Sequence, residues 1–261
     1  MNKALLIEIK NFVATVTLNR PEVHNAFNAE LIKELSQTFQ KLDNDKKVKV
    51  IVLTGSGSSF CAGADVNWMK SMVNFTKKEN IADSMKMANM FEGINACSKP
   101  LIGVVNGHAL GGGAGLVSVC DYVIAVPEAS FGFTEVRLGL IPAVISPYVI
   151  AKIGESNARA WFLSGERFSA KTAYDMHLIH EVADKNILAQ QTQKIIESFL
   201  KAAPEATQVA KELIQVVTKN LKQTKLKKIT CEQIAKRRVS KEGQEGMNSL
   251  LEKRKPQWTE K

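Results

Sequence analysis

The chain opens on two runs, ALLIEI and FVATVTL, in which apolar residues recur at alternate positions; they predict a β-hairpin that turns at Lys10-Asn11. The period then changes. Leu31, Leu35, Phe39 and Leu42 recur at three- and four-residue steps behind Asn28, a residue suited to capping a helix start, and the charged DNDKK closes that helix. VKVIVLTG is a β-branched strand that runs straight into the loop GSGSSFCAGAD. The same succession returns farther on: Pro100 ends the helix IADSMKMANMFEGINAC, LIGVV restarts a strand, NGHALGGG follows as a loop, and DYVIAV is the next strand. Strand, loop and helix in alternation predict an α/β fold with largely parallel strands, whose ligands sit at loops beyond the carboxyl ends of strands. From Ile187 onward the periodicity is helical only, interrupted by Pro204, Gly243 and Gly246. The expected division is a core over 1–195 and a helical segment over 196–261.

Composition narrows the class. The 261 residues, 45% hydrophobic and 23% charged, can bury one large core or a core with a small appendage. Cys61, Cys97, Cys120 and Cys231 form no CxxC, which argues against a zinc site or a disulfide framework and for a reducing, cytoplasmic setting. The N-terminal MNKALLIEIKNF alternates as a strand does and has no signal-peptide pattern. The uncharged run from Pro100 to Cys120 is long enough to suggest a membrane span, yet six glycines, Asn106-Gly107 and His108 interrupt it; a buried strand, a turn and a helix start fit it better, so no membrane partner is expected. A net charge of +9 admits nucleic acid or a phosphorylated ligand. Much of the excess lies in KNLKQTKLKK and KRR, where the spacing puts lysines on the wet face of a helix without alternating aromatics, so a solvated face is preferred to RNA binding.

Two glycine loops carry the candidate chemistry. CAGAD (61–65) and GGGAG (111–115) each follow a strand and lead into a helix. The first N–H groups of a helix lack intrahelical partners and lie at the positive end of its dipole, and glycine lets a ligand oxygen come close. If the loops are neighbours, their N–H groups can converge on one carbonyl oxygen as an oxyanion hole. Tight helix-on-strand packing or a phosphate loop are the alternatives, but no GK[ST] follows to make a P-loop and no strand-to-acid spacing supports a dinucleotide site.

Five ordered segments, NRPEVHNAF (19–27), FCAGADV (60–66), NGHALGGGAGL (106–116), CDYVIA (120–125) and FGFTEVRLGLIP (131–142), resemble the crotonase superfamily of enoyl-CoA hydratases and isomerases. The resemblance spans nearly the whole chain. It implies a spiral of repeated ββα units with a helical C-terminal segment for assembly, as a homotrimer or a dimer of trimers. It implies an acyl-CoA thioester whose oxygen is held by the N–H groups of Ala64 and Gly112, with His24, Ala26, Ala62, Asp65, Val66, Leu110, Gly111, Thr134, Leu140 and Pro142 about the substrate. It implies no cofactor beyond the coenzyme A of the substrate, and no metal.

Hydratases of this superfamily commonly set two glutamates about the reacting carbons. Here the first matches Gly115 and the second Glu135. Glu135 is the expected acid/base, its pKa raised by burial among Phe131, Phe133 and Leu140. Asp121 and Asp65 are expected in structural roles, the latter as a helix cap, and Arg137 either faces an acyl tail or pairs at the surface. His108, His177 and His180 are expected to pack or lie at the surface, and the Met-rich helix to supply apolar contacts. One base suffices for moving a double bond from C3 to C2, which favours an isomerase on mechanism. CAGADVNWMK, GGGAGLVSVCD and FGFTEVRLGLIPAVISPYVIAKIG instead resemble the bacterial 3-methylglutaconyl-CoA hydratases of leucine breakdown, and Gly115 is expected to leave room for a carboxylate tail and to spare it a repelling charge. An acyl-CoA- or RNA-binding protein with little or no catalysis is the alternative of another class.

Overall fold

β1 (Leu5–Lys10) runs antiparallel to β2 (Val13–Leu18), and the two differ in burial: β2 alternates, whereas β1 is exposed from Leu6 onward. The turn between them falls on Asn11 and Phe12, both at positive φ (49° and 66°), one residue beyond the expected place. That keeps Lys10 paired with Val13 as the last rung of the ladder. The computed structural model describes residues 3–219 and 221–259; the extreme ends of the two expected units, and Asn220 within the lysine-rich stretch, lie outside the described residues.

α1 (Ala29–Asn44) starts where the Asn28 side chain accepts the Leu31 N–H at 2.8 Å, and it buries Leu31, Ile32, Leu35, Thr38, Phe39 and Leu42. Three pairs of one long and one short strand follow. β3 (Val50–Gly55) and β4 (Ser59–Cys61) lead to α2 (Val66–Met72) and α3 (Lys77–Ala96). β5 (Leu101–Val105) and β6 (His108–Leu110) lead to α4 (Gly112–Val119). β7 (Tyr122–Ala125) and β8 (Ser130–Gly132) lead to a 3-10 helix over Thr134–Leu138 and to α5 (Ser146–Ser164). The three-residue strands are too short to show a period in sequence. β9 (Arg167–Ser169), α6 (Ala170–Asp175) and β10 (Glu181–Val182) complete two sheets, β1-β2-β3-β5-β7-β10 and β4-β6-β8-β9. From β2 to β10 and from β4 to β8 every pairing is parallel. Covered on both faces, β3 and β5 read as near-continuous apolar runs.

α7 (Leu188–Leu200) lays Leu188, Ile195, Ile196, Phe199 and Leu200 on the sheet face formed by Val50, Val52, Ile102, Val104 and Ile124, so residue 195 falls inside a helix that packs on the large sheet. α8 (Pro204–Val217), α9 (Gln223–Val239) and α10 (Lys241–Leu251) follow. Gly243 and Gly246 do not interrupt the helices, as their composition suggested; both lie within α10, and the break falls at Ser240. A side chain at Gly243 would run into the Arg237 carbonyl oxygen, and one at Gly246 would press on the Trp258 ring, so the glycines serve close packing. Arg237 ties the segment internally to Glu205 (3.0 Å) and Glu242 (2.6 Å), while Lys211 joins it to Asp121 of the core at 2.6 Å. The lysine-rich α9 has no buried residue. Among the described residues no helix is long and apolar enough to cross a membrane; the uncharged run after Pro100 is β5, β6 and α4.

Candidate active site

α4 is an unpromising helix by sequence: GGAGLVSV contains three glycines and two valines. Tertiary structure supports it instead, since all eight of its residues are buried. Gly111, at φ 51° and ψ −120°, adopts a conformation essentially confined to glycine, and its N–H donates to the Gly132 oxygen of β8 at 2.8 Å. A side chain on Gly112 would crowd Met87 Cε (2.8 Å) and Phe27 Cε2 (2.9 Å), and one on Gly113 would strike the Cys61 carbonyl. At the other end the Lys152 ammonium donates to the oxygens of Val117 (3.2 Å) and Cys120 (2.6 Å), while Cys120 Sγ donates to Leu116 O at 3.2 Å. Orphan carbonyls of the last turn are thereby satisfied. Burial draws the Lys152 pKa below its ordinary value.

The CAGAD loop is held by Phe27. The Phe27 N–H donates to Gly63 O (2.7 Å) and the Asp65 N–H to Phe27 O (2.9 Å), while the Ala62 N–H donates to His24 O (3.0 Å). Among the described residues, neither the Ala64 nor the Gly112 N–H donates to a protein acceptor. The loops are neighbours because β4 and β6 pair in parallel: a Cβ on Gly111 would lie 3.9 Å from Gly63 Cα and 3.1 Å from Glu135 Oε1.

Ala64, Gly112 and Glu135 line one cavity of about 690 Å³, together with Ala62, Gly111, Thr134, Leu140 and Pro142. Glu135 stands on the 3-10 helix, whose end is fixed by the Leu140 N–H donating to Glu135 O at 3.0 Å and by Gly139 in the left-handed region. Its Oε2 is buried with no hydrogen-bond partner among the described residues, and burial raises its pKa above the ordinary carboxylate value. The aromatic surroundings differ from expectation. Phe131 and Phe133 point into the core against Phe168 and Phe162, leaving Trp68, the methionines Met69, Met72 and Met87, and Ile145 as the apolar walls alongside Leu140. The space beside Gly115 is also not open: a side chain there would run into Ile145 Cγ2 and lie 3.0 Å from Phe91 Cζ. An apolar wall occupies the second carboxylate's place, so the expectation that Gly115 leaves room for an acyl tail does not hold.

His24, Ala26, Asp65, Val66 and Leu110 fall outside the lining of this cavity. His24 Nδ1 meets Ser59 Oγ at 3.1 Å, Ala26 and Leu110 are buried, and Val66 is exposed on α2. Asp65 caps α2 by accepting the Asn67 N–H and pairs with Arg20, both at 2.8 Å. Burial pushes its carboxyl up, but Arg20 and the Asn67 N–H more than offset this and hold its pKa below the ordinary value. Arg137 turns to Glu166 (3.7 Å) and the Ser164 oxygen, and Asp121 accepts from Lys211 and from the Leu101 N–H. His180 Nδ1 accepts the Val123 N–H at 3.0 Å, and burial brings its pKa down to about 4. The residues missed in sequence are Asn80, Asp83 and Ser84 of α3, which also line the cavity. Their i, i+3, i+4 spacing on a Met-rich helix was the available signal. Asp83 and Glu135 are the charged residues of the described lining. No group of three His, Cys, Asp or Glu is placed to hold a metal ion among the described residues.

The sequence pattern of the enoyl-CoA hydratase/isomerase family matches residues 8–261. The chain belongs to that family. An enoyl-CoA hydratase structure from Shewanella pealeana is 37% identical and superposes with a TM-score of 0.95, over 98% of this chain and 96% of that one. A short-chain-enoyl-CoA hydratase of Clostridium acetobutylicum is 32% identical over 216 residues, covering 80% of each chain. An enoyl-CoA hydratase of Alternaria alternata is 36% identical over 199 residues, which span 76% of this chain and 65% of that relative. This family member is an enzyme with the mixed α/β architecture of its structural neighbours.

Proposed function

We propose that this enzyme adds water across the C2–C3 double bond of a 2-enoyl-CoA thioester, using one carboxylate. The observation that carries the proposal is the meeting, in one cavity, of two N–H groups without protein acceptors and one buried carboxylate oxygen without a donor. The thioester oxygen accepts from Ala64 and Gly112. Glu135 takes a proton from water as the oxygen of that water bonds to C3; the C2–C3 π pair becomes the C1–C2 double bond of an enolate while the carbonyl π pair moves onto the thioester oxygen; the carboxyl of Glu135 then returns the proton to C2 as the carbonyl re-forms. Atoms balance with a single group acting first as base and then as acid. Each N–H contributes on the order of 10² to 10³ in rate. Glu135→Gln keeps the shape of the cavity and removes the base, so turnover falls by at least about 10³-fold while the acyl-CoA dissociation constant stays within about twofold. Hydration rates and equilibrium binding of the variant check this, and parental turnover in it would exclude Glu135.

The finer assignment, 3-methylglutaconyl-CoA, is supported by the segments that resemble that branch. A second reading, an uncharged short acyl chain, is favoured by the lining, whose charged members are both acidic. Hydration rates on 3-methylglutaconyl-CoA and crotonyl-CoA decide between them: a clear preference for the first supports the dicarboxylic assignment, and a preference for crotonyl-CoA the uncharged one. Isomerisation of a 3-enoyl-CoA needs the same base, and the apolar wall of Ile145 and Phe91 suits it; that activity is measured on the same preparation. We also propose assembly in the cytoplasm as a homotrimer or dimer of trimers through the helical segment, supported by the exposure of Val239, Leu250 and Leu251, each 79%; sedimentation equilibrium tests the assembly.

A further inference from the structure

The fold gathers side chains that the sequence keeps far apart. Lys10 at the end of β1, Phe12 of the hairpin turn, Lys47 and Lys49 just ahead of β3, Lys201 after α7 and Trp258 near the C-terminus all line a second cavity, of about 640 Å³. Among the described residues it shares no lining with the proposed catalytic cavity. It opens at the amino-terminal end of β3, whereas the reacting groups lie beyond the carboxyl ends of β4 and β6.

The walls of this groove are tied together before any ligand arrives. Lys49 Nζ donates to Trp258 O at 3.1 Å and stands 4.3 Å from the centre of the Phe12 ring, and Trp258 Nε1 donates to Lys201 O at 3.2 Å. Phe12 holds φ at 66°, a conformation bulky residues avoid, so the turn retains backbone strain where it presents its ring to the groove. Against four lysines the described lining has one carboxylate, Glu197, which accepts the Gln193 amide at 2.9 Å. Ile9 and Leu200 add apolar surface.

Flat apolar faces beside clustered ammonium groups suit a ligand that joins an aromatic ring to a multiply charged anion. We propose that this groove is a binding site for a nucleoside phosphate, with the ring against Trp258 and the phosphates among Lys10, Lys47 and Lys201. The site is independent of the reaction proposed above. Two sources share this chemistry: a free nucleotide, and the nucleotide end of a coenzyme A molecule other than the one being processed.

The test is calorimetric titration of the full chain at low salt with ADP, pyrophosphate, adenosine and coenzyme A, each up to about 5 mM, since useful cellular affinities lie well below that. ADP binds more tightly than pyrophosphate or adenosine, and its affinity falls as salt rises. The double variant Lys47→Gln/Lys201→Gln weakens ADP at least about fivefold, Trp258→Leu weakens ADP but not pyrophosphate, and both keep parental turnover. One ADP per chain without extra coenzyme A identifies a free nucleotide; a second coenzyme A per chain, lost in the same variants, identifies the other source. No ADP binding, equal affinity for pyrophosphate and ADP, or unchanged affinity in the double variant overturns the proposal. So does binding of an oligonucleotide without ADP binding, which assigns the lysines to nucleic acid.

Discussion

The two N–H groups proposed to hold the thioester oxygen come from supports of opposite character. Gly112 opens a helix whose every residue is buried, with Gly113 pressed on β4 at one end and Lys152 on its carbonyls at the other. Ala64 precedes α2, seven residues long and without one buried residue, which is held by the Phe27 bridge and the Arg20–Asp65 pair. Displacing α4 means repacking the core, whereas displacing α2 disturbs little buried surface. One donor is therefore held by core packing and the other by the hydrogen bonds that tie its loop to Phe27.

The sharpest way to break that contrast is Gly113→Ala. The new methyl group meets a backbone carbonyl rather than a side chain, so α4 must shift and carry Gly112 with it; turnover falls by about 10² to 10³, with Glu135 still in place. Arg20→Met attacks the softer side. It leaves the Asp65 carboxylate, 5% exposed, without its partner at the cap of α2 and destabilises the chain by about 3 kcal/mol, read by denaturant unfolding. A third test concerns the carboxylate between the two loops. Because the folded pKa of Glu135 is raised, its stability contribution is full below the ordinary 4.5 and is lost as pH rises through the folded value. Glu135→Gln therefore melts higher than the parent at neutral pH, and the difference closes toward pH 4.5; a difference independent of pH would contradict this. The smallest effect belongs to Val66→Ser on exposed α2, within about 0.5 kcal/mol of the parent in stability.

Much of this arrangement was legible in the chain. Asn28, the α1 stripe and the long parallel strands are legible through period and β-branching, and the paired glycine loops point to backbone donors. What stayed hidden depends on contacts between distant residues. The small sheet is built of three-residue strands with no detectable period, and the inward setting of Phe131 and Phe133 is decided by their contacts with Phe168 and Phe162. The occupant of the space at Gly115 comes from Ile145, thirty positions along the chain. Gly243 and Gly246 look like breaks in sequence and are contact points in space.

Ile145 at Gly115 also has a bearing on how such an enzyme changes its chemistry. A lineage that gained an acidic side chain at Gly115 while keeping Ile145 would face a steric collision before it could profit from the new proton donor. Trimming Ile145 first would open a void and lower stability. A side chain at Gly115 is thus accommodated only where Ile145 gives way.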